Sequence, residues 1–244
     1  MVGGVEMRKL AVLGWYGHGN FGDEMILEGL RTLFNGWELK VFTSDFVSAY
    51  PFMDFDEVNK CDLFVLGGGE LISPDHLFLP SRSLFKFKYR SDLYRLYSHT
   101  PFAFPRWVHK IKIPKVVLGC GVNGDQVNSQ VVEELGQFSY IGLRDNVAIE
   151  ILKKHPTLAT KTHLFFDLAF AIEMSTDTCR FLAKVFPFKL HGLILAHMAG
   201  TKYAGQFYHP KVGRVYEIIK GLKPQQIREE QKVMFGEVLK ETET

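Results

Sequence analysis

The sequence predicts an α/β protein built on a doubly wound, mostly parallel sheet. Three observations carry that expectation. Short apolar runs alternate with helical patterns, as strands and crossover helices do. Three of the runs lead into glycine-containing loops, at Gly14, at Gly67-Gly68-Gly69 and at Gly119-Cys120-Gly121. The chain has 244 residues, 46% hydrophobic and 23% charged, which excludes disorder, collagen and coiled coil as global descriptions.

The elements follow in order. Residues 10–14 read as a buried strand. Residues 23–34 read as a helix, because Met25, Ile26, Leu30, Leu33 and Phe34 fall near one face at helical spacing. Strands are expected at 39–43, 62–66 and 116–118. Residues 129–138 look helical, 140–143 form a short strand, and 146–154 form a helix that Pro156 stops. A last apolar run covers 165–172. The segment after Gln225 is charged and reads as a terminal helix. In sheets of this kind ligands bind beyond the carboxyl ends of the strands. Glycine loops at three of those ends build a rim for close backbone approach.

Composition narrows the function classes. Lys+Arg 29 against Asp+Glu 27 gives +2, which argues against a dedicated nucleic-acid binder. Cys61, Cys120 and Cys179 lie far apart, without metal-ligand spacing; Cys61 and Cys120, beside strand-like runs, read as small core residues, and the compartment is expected to be reducing. No apolar run reaches the length of a membrane span, and the first residues lack a signal-like pattern. The expected location is therefore cytoplasmic. Residues 77–114 carry Arg82, Lys86, Lys88 and further basic residues against a single acid, Asp92, interleaved with Phe, Tyr and Trp. One reading is a helical excursion whose rings pack on the sheet. A second is a surface for anionic lipid headgroups or a lipid-linked acceptor, making the protein peripheral to a membrane. A third is single-stranded nucleic acid.

Four segments carry residues suited to chemistry. The first is 14–24, Gly-Trp-Tyr-Gly-His-Gly-Asn-Phe-Gly-Asp-Glu, between the first strand and its helix. Its glycines let a ligand approach the backbone, and the helix N-terminus behind it attracts anions. The spacing fits neither the Walker pattern nor the dinucleotide fingerprint. Asp23, at the helix start, reads as an N-cap. The second is Gly67-Gly68-Gly69-Glu70, either a ligand-contacting turn or a tight strand-to-loop bend. The third is Arg144-Asp145, where an arginine either clamps a phosphate or carboxylate or pairs with an acid. The fourth is Lys189-Leu190-His191, ahead of an apolar segment. If this part is extended, alternation puts Lys189 and His191 on one side; by composition alone His191 reads instead as a plain polar residue at a helix start. His163, His197 and His209 share the region without metal-ligand spacing, so no metal site is expected.

Together these segments resemble the polysaccharide pyruvyl transferase family. Residues 14–24 match its Gly-Tyr-Tyr-Gly-x-Gly-Asn-x-Gly-Asp-Glu opening, and Gly67-Gly68-Gly69 its triple-glycine turn. Gly119-Cys120-Gly121 matches its Gly-x-Gly strand end, and Arg144-Asp145 its Arg-Asp. Lys189-Leu190-His191 stands where the family has Arg-Leu-His, and Tyr208-His209-Pro210-Lys211-Val212 is similar to its Tyr-Asp-Pro-Lys-Val. The order is collinear over nearly the whole chain. The resemblance implies a Rossmann-like, glycosyltransferase-B-like fold. Only about twenty residues separate Asp167 from His191, where the family places much of its second half, so the second half is expected to be abbreviated. The expected division is 1–172 as the Rossmann-like domain and 173–244 as a shortened C-terminal segment.

The resemblance also implies transfer of a pyruvyl group from phosphoenolpyruvate, as donor substrate and without a cofactor, onto sugar hydroxyls as a ketal. The acceptor would be a polysaccharide or its lipid-linked precursor. His191 is then the expected general acid, with Arg144 and Lys189 holding the donor. Asn20, Asp23 and Glu24 would orient hydroxyls, and Gly67, Gly68 and Gly69 would let substrate touch the backbone. Two other readings stand beside this one: a shortened relative that only binds sugar or another protein, and a sugar-nucleotide glycosyltransferase. A structure without a cleft between Arg144 and His191 would favour the first of these. The aromatic excess, 14%, also suits apolar surface covered in a homo-oligomer.

Overall fold

The computed structural model describes residues 7–43, 48–74, 107–185, 189–201 and 210–243. Of the basic, aromatic stretch only 107–114 lie among them, and Tyr208 and His209 also lie outside the described residues. Six strands form one sheet: β1 (Lys9–Leu13), β2 (Glu38–Phe42), β3 (Leu63–Gly67), β4 (Lys115–Cys120), β5 (Tyr140–Leu143) and β6 (Thr162–Leu164). Their order is β2-β1-β3-β4-β5-β6, and every pairing is parallel. This is the doubly wound, Rossmann-like arrangement that the alternation predicts.

Strand periodicity explains why the sheet is covered on both faces. Leu10, Val12, Leu63, Val65, Val116 and Leu118 point into one core with Ile26 and Leu30 of helix α1 (Phe21–Leu33) and with Phe34, the residue that caps its C-terminus. Their neighbours Ala11, Leu13, Phe64, Leu66 and Val117 point into the other, with Trp107, Val131 and Leu135. Successive side chains alternate sides, so a parallel strand covered on both faces must be apolar throughout. From β1 the chain goes outward to β2, then returns past β1 to β3. The crevice at that reversal, beyond the strand ends, is where this topology places ligands.

One element is resolved here and one sequence expectation changes. The apolar run 165–172, given no element type from sequence, does not form a strand. The sixth strand is the short Thr162–Leu164 before it, and the run folds into a 3-10 turn at Leu168–Ala171 packed on α1. Its apolar residues are fully buried or nearly so because helices cover them, not because they pair in the sheet. Gly29 permits the approach, since a Cβ there would collide with the Leu168 carbonyl. The helix expected over 129–138 closes at Leu135, inside Ser129–Leu135, with Asn128 as its cap.

After Ile172 the described residues form helices: Thr176–Val185, Leu190–Met198, Pro210–Ile219 and Pro224–Glu243. Their apolar faces share a third core with Phe166, Phe170 and Ile172. The last helix returns to the first half of the chain. Phe235 meets Phe34 edge-on at 4.7 Å between ring centroids, and Glu243 pairs with Arg8 at 3.4 Å. Its Gln231 and Val238 are fully buried. No helix among the described residues is long and apolar enough to cross a membrane.

Candidate active site

The loop after β1 is built by its glycines and its hydrogen bonds. Gly17 and Gly19 take left-handed backbone angles, φ 78° and 69°. The Tyr16 hydroxyl donates to the Gly67 carbonyl at 2.6 Å, tying this loop to the end of β3. The Gly17 amide donates to Glu24 Oε1 at 2.7 Å. The cap of α1 is Asn20, whose side chain accepts from the Gly22 amide, rather than Asp23 as expected from the sequence. Asp23 lies in the first turn of α1, hydrogen-bonded to Asn20.

The end of β3 bends sharply. Gly68 and Gly69 have φ 69° and 72°, and a Cβ on Gly68 would collide with Ile26. The Gly69 carbonyl accepts from the Gly121 amide at 2.8 Å, joining the rims of β3 and β4. Gly67 and Gly68 therefore serve close packing, and Gly69 lines the open space beyond the strand end.

Arg144 follows β5 and is buried. Its Nη1 donates to Asp167 Oδ2 at 3.0 Å, while its Nε has no hydrogen-bond partner among the described residues. Of the two sequence readings for this residue, pairing with an acid is realised, but in the interior rather than at the surface. Asp167, just past β6, is fully buried; its Oδ1 accepts the Ala169 amide at 3.1 Å. The same Oδ1 lies 3.9 Å from His191 Nε2. One carboxylate thus faces both Arg144 and His191.

Of the two sequence readings for this segment, the extended one and the helix start, the structure shows the helix start. Only Lys189 is extended, as the residue before helix Leu190–Met198, and His191 occupies that helix's first turn. Gly22 makes room for the imidazole, because a Cβ at that position would overlap it. The side chain of Lys189 does not cap the helix; the Gly192 amide donates to the Lys189 carbonyl at 3.0 Å, which leaves the amides of Leu190 and His191 to meet an anion.

These pieces surround one cleft of about 440 Å³. It is lined by Gly19, Asn20, Phe21, Gly22, Asp23, Gly69, Glu70, Arg144, Lys189, Leu190, His191 and Lys211. Asn20, Asp23, Gly69, Arg144, Lys189 and His191 are brought together as expected; Glu24, Gly67 and Gly68 stand behind the wall and shape it. Three lining or supporting residues were not assigned from sequence. Lys211 reaches Glu70 Oε2 at 3.3 Å across the cleft. Its signal was the Pro210-Lys211-Val212 match. Asp167 was signalled only as the single carboxylate within 165–172. Glu70 directly follows the triple glycine.

The electrostatics suit an anion. Arg144, Lys189 and Lys211 converge from three elements, and the N-termini of α1 and of Leu190–Met198 open on the same space. Burial lowers the His191 pKa from 6.5 to about 4, against the opposing pull of Asp167. Burial raises the Asp23 pKa from 3.8 to about 6, although Arg144 counteracts it. Two such groups with displaced values are the usual mark of proton-handling sites. Among the described residues no group of three or more His, Cys, Asp or Glu is placed to hold a metal ion.

These shifts have opposite consequences for stability. Between about pH 4 and 6 folded Asp23 holds a proton that the unfolded chain has lost, so its contribution falls as pH rises. Between about pH 4 and 6.5 folded His191 lacks a proton that the unfolded chain holds, so its contribution rises with pH. In the wild type the two nearly offset. Asp23→Asn is expected to steepen the rise of stability with pH across pH 4–6 by up to about 1.4 kcal/mol per pH unit relative to wild type. Urea unfolding at a series of pH values checks this; parallel curves for the two proteins would contradict it.

A family model described as polysaccharide pyruvyl transferase matches residues 20–178, well over half of the chain. The matched segment holds Asn20, Asp23, Gly69, Arg144 and Asp167; Lys189, His191 and Lys211 follow it. No curated protein matches the chain.

Proposed function

Because this chain belongs to the polysaccharide pyruvyl transferase family, we propose that its cleft transfers the pyruvyl group of phosphoenolpyruvate to two hydroxyls of one sugar. The observation that carries this reading is the convergence of Arg144, Lys189 and Lys211 with two helix N-termini around His191 and Asp23. Phosphoenolpyruvate presents a phosphate and a carboxylate, and three cations on separate elements suit two anionic groups. The acceptor is a sugar of a polysaccharide or of its lipid-linked precursor.

The reaction needs proton movement and charge stabilisation, but no oxidant. An acceptor oxygen bonds to C2 of the donor while a proton is delivered to C3, turning the methylene into a methyl group. The C2–oxygen bond to phosphate then breaks, and the second hydroxyl bonds to C2. One hydroxyl proton balances the new methyl hydrogen and the other leaves with phosphate. In the ligand-free site His191 is neutral near pH 7. A bound anionic donor adds negative charge beside the imidazole and raises its pKa, so the acid form arises with the donor in place. Asp23, near pKa 6, serves in this reading as the second proton carrier and takes the acceptor proton. The cations and the first amides of helix Leu190–Met198, those of Leu190 and His191, stabilise the departing phosphate.

Calorimetry separates this reading from the nucleotide-sugar alternative. The expected result is saturable binding of phosphoenolpyruvate, weakened in Lys211→Ala, and no binding of a nucleoside diphosphate. Binding of the nucleotide without phosphoenolpyruvate would overturn it. A cleft does lie between Arg144 and His191, so the observation that would have favoured a binding-only relative is not met.

A further inference from the structure

The last helix carries a polar residue with no obvious reason to be inside. Gln231 is fully buried on Pro224–Glu243, between the buried Ile227 and the packed Met234. A buried amide is costly unless hydrogen-bonded. Its Nε2 lies 3.3 Å from the Phe166 carbonyl and 3.4 Å from the Asp167 carbonyl. These are the two peptide groups that bracket the Asp167 side chain. That carboxylate accepts from Arg144, accepts from Ala169 and faces His191. Phe166 and Asp167 lie between β6 and the 3-10 turn, outside the sheet ladder. A donor from elsewhere in the chain is therefore one of the few things fixing their orientation; the Phe170 amide, which also donates to the Asp167 carbonyl, is another.

We propose that Gln231 is a positioning residue of the cleft: its amide holds the Phe166–Asp167 backbone, and so the carboxylate that grips Arg144 and faces His191. The C-terminal helix thereby completes a site to which it contributes no lining residue. A shift of one ångström in a supporting carboxylate is enough to misplace both of its partners.

The test uses the full chain and three variants. Gln231→Met keeps the bulk and removes the donor. Gln231→Glu keeps the shape, and its carboxyl can donate only when protonated. Val238→Ala, on the same helix and fully buried, lowers stability without touching Asp167. The first readout needs no ligand: hydrogen exchange of the Ala169 amide, which is bonded to the Asp167 carboxylate. Exchange at Ala169 is expected to be at least tenfold faster in Gln231→Met, and near wild type in Val238→Ala after correction for global stability. In Gln231→Glu protection should recover as pH falls. The second readout is phosphoenolpyruvate affinity, expected to weaken about tenfold in Gln231→Met only. Unchanged Ala169 protection in Gln231→Met, or equal loss in Val238→Ala, would overturn the proposal. So would wild-type phosphoenolpyruvate affinity in Gln231→Met. A wild-type chain that does not bind phosphoenolpyruvate would sink the pyruvyl reading instead, and the exchange readout would still decide the role of Gln231.

Discussion

His191→Ala is expected to lower turnover by at least about a hundredfold, the usual scale for losing a positioned acid–base group, while the fold persists. The helix carrying His191 is anchored by Leu190, Leu193 and Ile194, all buried, and not by the imidazole. The imidazole itself makes no hydrogen bond through Nε2 among the described residues. Alanine is also the better helix former. The thermal midpoint should therefore move little, and circular dichroism beside a turnover assay separates the two effects. A variant that keeps full turnover would remove His191 from the mechanism.

Arg144→Ala should act on both stability and binding. It leaves the Asp167 carboxylate buried without its guanidinium, and breaking one side of a buried pair costs about 3–5 kcal/mol. It also removes the most enclosed of the three cations in the cleft. The double variant Arg144→Ala/Asp167→Asn no longer buries an unpaired charge. It should recover part of the lost stability and none of the lost phosphoenolpyruvate affinity. Denaturant unfolding and calorimetry on the two variants measure the two parts. Recovery of affinity in the double variant would show that Arg144 is structural only.

The sheet was largely legible because its signal is local. A parallel strand buried on both faces must be apolar at every position, and 10–13, 63–66 and 116–118 are. β6 was hidden because Thr162-His163-Leu164 is short and mixed, an edge strand beside a more apolar run that is buried by helices. The glycine loops and the Lys189-Leu190-His191 segment were legible as motifs, but not their local geometry. The last turn before a helix and the first turn inside it look alike in sequence, so the extended and helix-start readings of His191 both stood until the structure placed it in the first turn. Asp167 and Gln231 were not legible because their roles come from tertiary contact. Asp167 meets Arg144 from 23 residues away, and Gln231 meets Asp167 from 64. No spacing rule connects such positions. The one available hint was a lone carboxylate within 165–172, which an interior tolerates only when paired.

The chemistry of the cleft is tested most directly by turnover. Wild type and His191→Ala are incubated with phosphoenolpyruvate and a panel of sugar acceptors, following inorganic phosphate and the pyruvyl ketal together. The account predicts phosphate release that depends on an acceptor, one ketal formed per phosphate, and loss of both in His191→Ala. Absence of turnover across the panel, phosphate release without ketal, or equal rates in the two proteins would contradict it.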